Sequence, residues 1–119
     1  MNMQEAIDDL VQNGIDDWVD NVAVAWVAKS IGGAKSPDEI RIVALQVVAE
    51  PLRGGYMNIG ELNGPGDTFQ KWDMTIAEAL AHADLEWRSL GRRPLTGEVF
   101  WLCNTPKGDQ RASLPDGLR

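Results

Sequence analysis

The 119-residue chain contains one cysteine, Cys103, and one histidine, His82. A single thiol excludes an internal disulfide framework and any zinc site built on two or more thiolates. With one imidazole, a metal centre would have to recruit carboxylates, and no His/Asp/Glu set stands at ligand spacing. No apolar run approaches the roughly 18 residues that span a bilayer. The opening Met1-Asn2-Met3-Gln4-Glu5 has neither the basic start nor the apolar core of an export signal. The expectation is therefore a cytoplasmic chain with a free thiol. Bases are also scarce: 11 Lys and Arg against 18 Asp and Glu give a formal charge of −7. That balance weighs against a general electrostatic grip on nucleic acid or anionic lipid. Phosphate-loop and dinucleotide signatures are missing, because Gly60-x-x-x-Gly64-x-Gly66 has neither G-K-[ST] nor GxGxxG around it. No cofactor and no metal are expected.

What remains is the composition of a folded domain, with 44% apolar and 24% charged residues. Tryptophans at 18, 26, 72, 87 and 101 are spread along the chain. Each can bury on the order of 200 Å², so one core drawing on the whole chain is expected. The acids are unevenly placed. The first twenty residues hold Glu5, Asp8, Asp9, Asp16, Asp17 and Asp20 and no base. Asp16-Asp17-x-x-Asp20 lacks the alternating oxygen ligands and turn glycine of a calcium loop. These acids read as helix-start charges or as a surface for a basic partner.

Hydrophobic spacing and capping signals mark the elements. Ala6, Ile7, Leu10 and Val11 predict a helix over 3–12, stopped by Asn13-Gly14. Ile15, Trp18, Val19, Val22, Ala25 and Trp26 predict the buried stripe of a second helix over 16–31, ending at Gly32-Gly33. The run Val22–Val27 is also compatible with a buried strand. Ser36-Pro37-Asp38-Glu39 is a capped helix start, and Ile40, Val43, Ala44, Val47 and Val48 follow as its apolar face. Pro51 should kink or end that helix. Tyr56 to Leu62 reads as a strand, and 63–67 as a turn. Thr75-Ile76-Ala77-Glu78 opens a helix with the stripe Ile76, Leu80, Ala83, Trp87 and Leu90. Glu98 to Thr105 is a strand with Val99, Trp101 and Cys103 on one face and Phe100 and Leu102 on the other. The fold expectation is α+β, with three helices followed by a two-stranded antiparallel ribbon carrying one inserted helix. A single domain would span 1–112, with 63–97 inserted between the strands and 113–119 a flexible tail.

The exit Gly54-Gly55-Tyr56-Met57-Asn58-Ile59 and the run Val99-Phe100-Trp101-Leu102-Cys103-Asn104-Thr105-Pro106-Lys107-Gly108 resemble a winged-helix domain. In that family the third helix leads into a strand, a wing and a returning strand, then a Thr-x-x-Gly turn and another helix. The resemblance implies a DNA-reading third helix at 37–53. Two features depart from it. The wing is replaced by 35 residues that carry a helix of their own, and the third helix has only Arg41 and Arg53 as bases. A major-groove helix usually presents several Arg, Lys, Asn or Gln side chains. The block Trp87-x-x-Leu90-Gly91-Arg92-x-Pro94-x-x-Gly97-Glu98-Val99-x-Trp101-Leu102 also resembles segments of short uncharacterised bacterial proteins.

No nucleophile–base pair, metal set or cofactor motif points to an enzyme. The leading expectation is an acidic protein-interaction module, of immunity, antitoxin or adaptor type, that meets a protein partner, with charge complementarity favouring a basic one. Its contacts would be Asp16, Asp17, Asp20, Phe69 and Trp72. A homodimer is compatible with this reading, and a membrane is not. The alternative is a winged-helix DNA-binding regulator with Arg41, Arg53, Lys71, Arg92 and Arg93 as its footprint. Bases gathered on one face would favour DNA, and scattered bases a protein partner. A small-molecule sensor with a tryptophan-lined pocket is a third reading, for which no polar signature stands out. Arg88, Arg92 and Arg93 form the one local basic cluster, suited to a helix C-terminus or to a phosphate or carboxylate contact.

Overall fold

The computed structural model describes residues 2–63 and 68–115, and within them the fold is α+β with five helices and a four-stranded antiparallel sheet. The chain runs α1 (Met3–Asn13), β1 (Val19–Asp20), α2 (Asn21–Ser30), α3 (Pro37–Arg53), β2 (Met57–Asn63), β3 (Thr68–Lys71), α4 (Ile76–Ser89), β4 (Trp101–Asn104) and α5 (Pro106–Ser113). A side-chain cap marks the start of each of the five helices. The side chains of Asn2, Asp20, Ser36, Thr75 and Thr105 accept from backbone N–H groups of the first turns. Thr75 and Glu78 form a reciprocal capping box. Pro51 lies in the last turn of α3, which ends two residues later at Arg53.

The expected two-stranded ribbon is a sheet in the order β1-β4-β2-β3. β4 pairs on one side with β1, Val19 opposite Leu102, and on the other with β2, Ile59 opposite Leu102. β3 adds to the far edge of β2, with Phe69 opposite Leu62. The insertion therefore carries a strand as well as a helix. Gly60 is what lets β3 lie so close, because a Cβ there would stand 2.0 Å from the Gln70 carbonyl oxygen. Residues 64–67 of the expected turn and 116–119 of the expected tail lie outside the described residues, and Ser113 closes α5.

Thr105-Pro106-Lys107-Gly108 is a helix start. Thr105 Oγ1 accepts from Gly108 N–H and donates to the Gly55 carbonyl. A Cβ on Gly108 would meet the Tyr56 carbonyl oxygen at 2.0 Å, so glycine is what allows α5 to pack on the start of β2. Arg111 then ties α5 to α1 through Asp8 at 2.7 Å and Gln4 at 2.8 Å.

One hydrophobic cluster draws on residues from Ala6 to Ala112. It is mainly aliphatic: Phe100 and Trp87 are its buried aromatics, whereas Trp18, Trp72 and Trp101 are half-buried and Trp26 is exposed. The stripes of α1 and α3 fall where the spacing predicts. That of α2 does not. The expected helix over 16–31 is broken by β1, and α2 begins only at Asn21. It buries Asn21, Val24, Val27 and Ala28, which leaves Val22 and Trp26 on its open side. Along α4 the buried positions are Ala79, Ala83 and Trp87, and Ile76 is exposed.

Asp20 and Asn21 fix this arrangement. Asn21 is fully buried; its Nδ2 donates to the Leu95 carbonyl at 3.0 Å. Its Oδ1 accepts from the N–H groups of Val99 at 3.1 Å and Phe100 at 3.4 Å. Asp20 caps α2 through Ala23 N–H and accepts from Gly97 N–H at 2.9 Å. Asn21→Ala leaves those buried groups unpaired and should lower unfolding stability by about 3 kcal/mol. Gln110→Ala, on the exposed face of α5, should stay within about 0.5 kcal/mol of wild type. Urea denaturation of both variants measures the difference.

Candidate functional site

A groove of about 540 Å³ opens between α2, the segment leading into α3, and the end of α4 with its following turn. Its apolar lining is Val22, Ala25, Ile40, Trp87 and Pro94. Six cations line it, Lys29, Lys35, Arg41, Arg88, Arg92 and Arg93, against one acid, Asp38. In a chain of net charge −7, this is a local reversal of sign.

The elements explain why these side chains meet. Val22, Ala25 and Lys29 repeat at three and four residues and so share one face of α2. Lys35 precedes the Ser36 cap of α3, and Arg41 lies one turn into that helix. Gly91, at φ 65°, turns the chain sharply out of α4 and brings Arg92, Arg93 and Pro94 back over the groove.

Three of the cations are held by acids outside the lining. Arg41 and Arg88 share Asp84, with Arg88 Nε 2.9 Å from Oδ2 and Arg41 Nη1 bonded to Oδ1. Arg41 also stands 3.8 Å from Asp38. Arg92 makes a two-pronged bond to Glu98, both contacts at 2.7 Å, and Leu95 N–H donates to the same carboxylate. The Arg92 hydrogen bond, followed by that of Leu95, pulls the Glu98 carboxyl down to about 2. The side chains of Lys29, Lys35 and Arg93 form no hydrogen bond or ion pair among the described residues. Six cations against Asp38, Asp84 and Glu98 leave a surplus of three positive charges.

The residues singled out from the sequence are distributed as follows. Asp16 and Asp17 are exposed between α1 and β1, and Asp17 Oδ1 accepts from Trp18 N–H at 2.7 Å. Asp20 is 8% exposed and both its oxygens serve the fold. Phe69 is half-buried on β3, and half-buried Trp72 packs edge-on against His82 with centroids 4.8 Å apart. β1 and β3 are opposite edges of the sheet, three strand spacings or about 14 Å apart. The acids and the aromatics therefore do not form one cluster. Of the bases, Arg41, Arg92 and Arg93 converge on the groove. Arg53 lies at the far end of α3 beside Glu50, and Lys71 ends β3.

Sequence reasoning missed Lys29 and Lys35. Lys29 carries a usable signal, its seven-residue spacing from Val22, but the expected helix over 16–31 has a different buried face, and Lys35 lies between the expected helices. Cys103 Sγ lies 3.6 Å from the Asn104 carbonyl, and burial, then the charge of Asp109, pushes its thiol up. No hydrogen bond joins it to His82 among the described residues. Among the described residues, no group of three His, Cys, Asp or Glu could hold a metal ion, and no helix is long and apolar enough to cross a membrane. Comparison with protein-family models, curated proteins and solved structures finds no match to this chain.

Because the folded-state pKa of Glu98 is depressed from 4.5 to about 2, its bridge contributes fully above the ordinary value. That contribution is lost as pH falls through the folded value. Glu98→Gln should therefore melt below wild type at pH 7, and the gap should close between pH 4.5 and about 2. Thermal melts of the two proteins across that range read the effect.

Proposed function

We propose that this chain is a non-enzymatic protein-interaction module whose contact surface is the open side of α2. The observation that carries this reading is Trp26, 65% exposed, with Val22 one turn away and Leu95, 64% exposed, beside the start of the helix. An apolar helix face left open, centred on tryptophan and flanked by basic side chains, has the composition of a binding hot spot. Lys29 follows one turn after Trp26 on this helix, and Arg93 comes two residues before Leu95. The partner that fits presents an apolar anchor beside acidic groups. This differs from the basic partner that net charge alone favours, because the local surface outweighs the global balance at contact range.

A DNA-binding regulator is the second reading, and one observation favours it. After α3 comes β2, and β4 returns beside it before the Thr105 cap of α5, an order compatible with the strand and returning strand that the winged-helix resemblance implies; β1 and β3 are additional to it. Against a reading role for α3, Asp84 of α4 holds Arg41, whose side chain is 15% exposed. Arg53 is then the one α3 base outside the groove. The architecture is compatible with the family while its nucleic-acid surface is obstructed.

Capture from source lysate with tagged chain, at physiological salt and with or without nuclease, separates the readings. The expected result is a stoichiometric protein recovered in both arms, lost with Trp26→Asp and retained with Arg53→Ala. Nucleic acid recovered only without nuclease, and released at raised salt, would replace this reading with the regulator.

A further inference from the structure

We infer that the basic groove is a binding site for a small organic phosphate monoester with a planar or apolar body. Four observations converge on that class. The groove, at about 540 Å³, has the size of a small-molecule site. Its lining is divided between an apolar set (Val22, Ala25, Trp87) and cations, the division that a ligand with a ring and an anionic head requires.

Lys29, Lys35 and Arg93 come from three separate segments of the chain and converge on the groove without a partner among the described residues. Bringing like charges together is unfavourable unless something neutralises them, and the acids nearby leave three positive charges over. A phosphate monoester carries about −1.5 to −2 charges and three acceptor oxygens at neutral pH, which offsets most of that surplus. Finally, the paired arginines are pre-positioned. Glu98 holds Arg92 by two bonds, and Asp84 holds Arg41 and Arg88, so the rim of the groove is set before a ligand arrives.

Asp38, exposed at the start of α3, is the one acid on the lining, and it stands 3.8 Å from Arg41. It disfavours a second phosphate at that end, which makes a monoester a better fit than a polyphosphate. The groove shares Val22, Lys29 and Arg93 with the flank of the α2 contact surface, but Trp26, the anchor of that surface, is not part of the groove lining.

The test is an amide NMR titration of the full chain with 1-naphthyl phosphate, run beside 1-naphthol and inorganic phosphate. Saturable shifts are expected at Val22, Lys29, Arg93 and the Trp87 indole, with half-saturation below about 1 mM. Each fragment alone should bind at least about tenfold more weakly, a loss of about 1.4 kcal/mol. The triple variant Lys29→Gln, Lys35→Gln, Arg93→Gln removes only side chains that form no hydrogen bond or ion pair among the described residues, and it should lose at least that factor. Ala25→Trp fills the groove without changing its charge and should abolish the shifts. Arg53→Gln, at the far end of α3, should leave them unchanged. The proposal is overturned by any of three results: no saturable shift at these residues, naphthol binding as well as its phosphate, or indifference to both groove variants.

Discussion

Two adjacent polar side chains, Asp20 and Asn21, join parts of the chain that lie 74 to 79 residues apart. The junction of β1, α2 and the segment leading into β4 passes through them. They end β1 and start α2, with Asp20 as the cap. They bind four backbone groups of the 95–100 segment, which delivers β4 into the gap between β1 and β2. A carboxylate at a helix N-terminus is favoured by the free N–H groups and the dipole there, so burying Asp20 is tolerable while Ala23 and Gly97 satisfy it. The same polar pair that would be costly unpaired thus specifies a single arrangement of distant segments.

The clamp also shapes the groove. Anchoring Leu95 at the start of α2 obliges the preceding turn, Arg92 to Pro94, to lie across the space between α2 and α4. The Arg92–Glu98 bridge then closes a short loop within that segment. The rim of the groove and the closure of the sheet are consequently one structural solution, and a change in the clamp reaches both.

How much of this was legible in the sequence follows from how local each signal is. α1, α3 and α4 were readable because capping and periodicity act within four residues: Ser36 and Glu39, or Thr75 and Glu78, announce themselves in the chain. β1 and β3 were not. A two-residue strand has no periodicity, and Thr-Phe-Gln-Lys becomes a strand only because Gly60 admits it at the edge of β2. α2 misled for a physical reason. Its residues 22–28 are apolar all round, so spacing cannot say which side is buried, and the polar Asn21 that sets the phase looks like a surface residue until its partners at 95–100 are in place. The groove was legible only as fragments, the Arg88, Arg92 and Arg93 cluster being visible while Lys29 and Lys35 belong to segments about sixty residues away.

Net charge was the least transferable of the sequence quantities, and the reason is mechanical. Several acids of this chain are committed to local work: Asp8 holds Arg111, Asp84 holds Arg41 and Arg88, Glu98 holds Arg92, and Asp20 serves backbone donors. A carboxylate committed in this way neutralises its own neighbour and adds little field elsewhere. At physiological ionic strength the screening length is about 8 Å. The molecule extends 40 × 37 × 23 Å, so charges distributed over it scarcely sense one another. What an approaching molecule meets is the unpaired residue of that accounting. Beside α2 this residue is Lys29, Lys35 and Arg93 around an apolar floor, and a globally acidic protein accordingly carries a concave surface of the opposite sign.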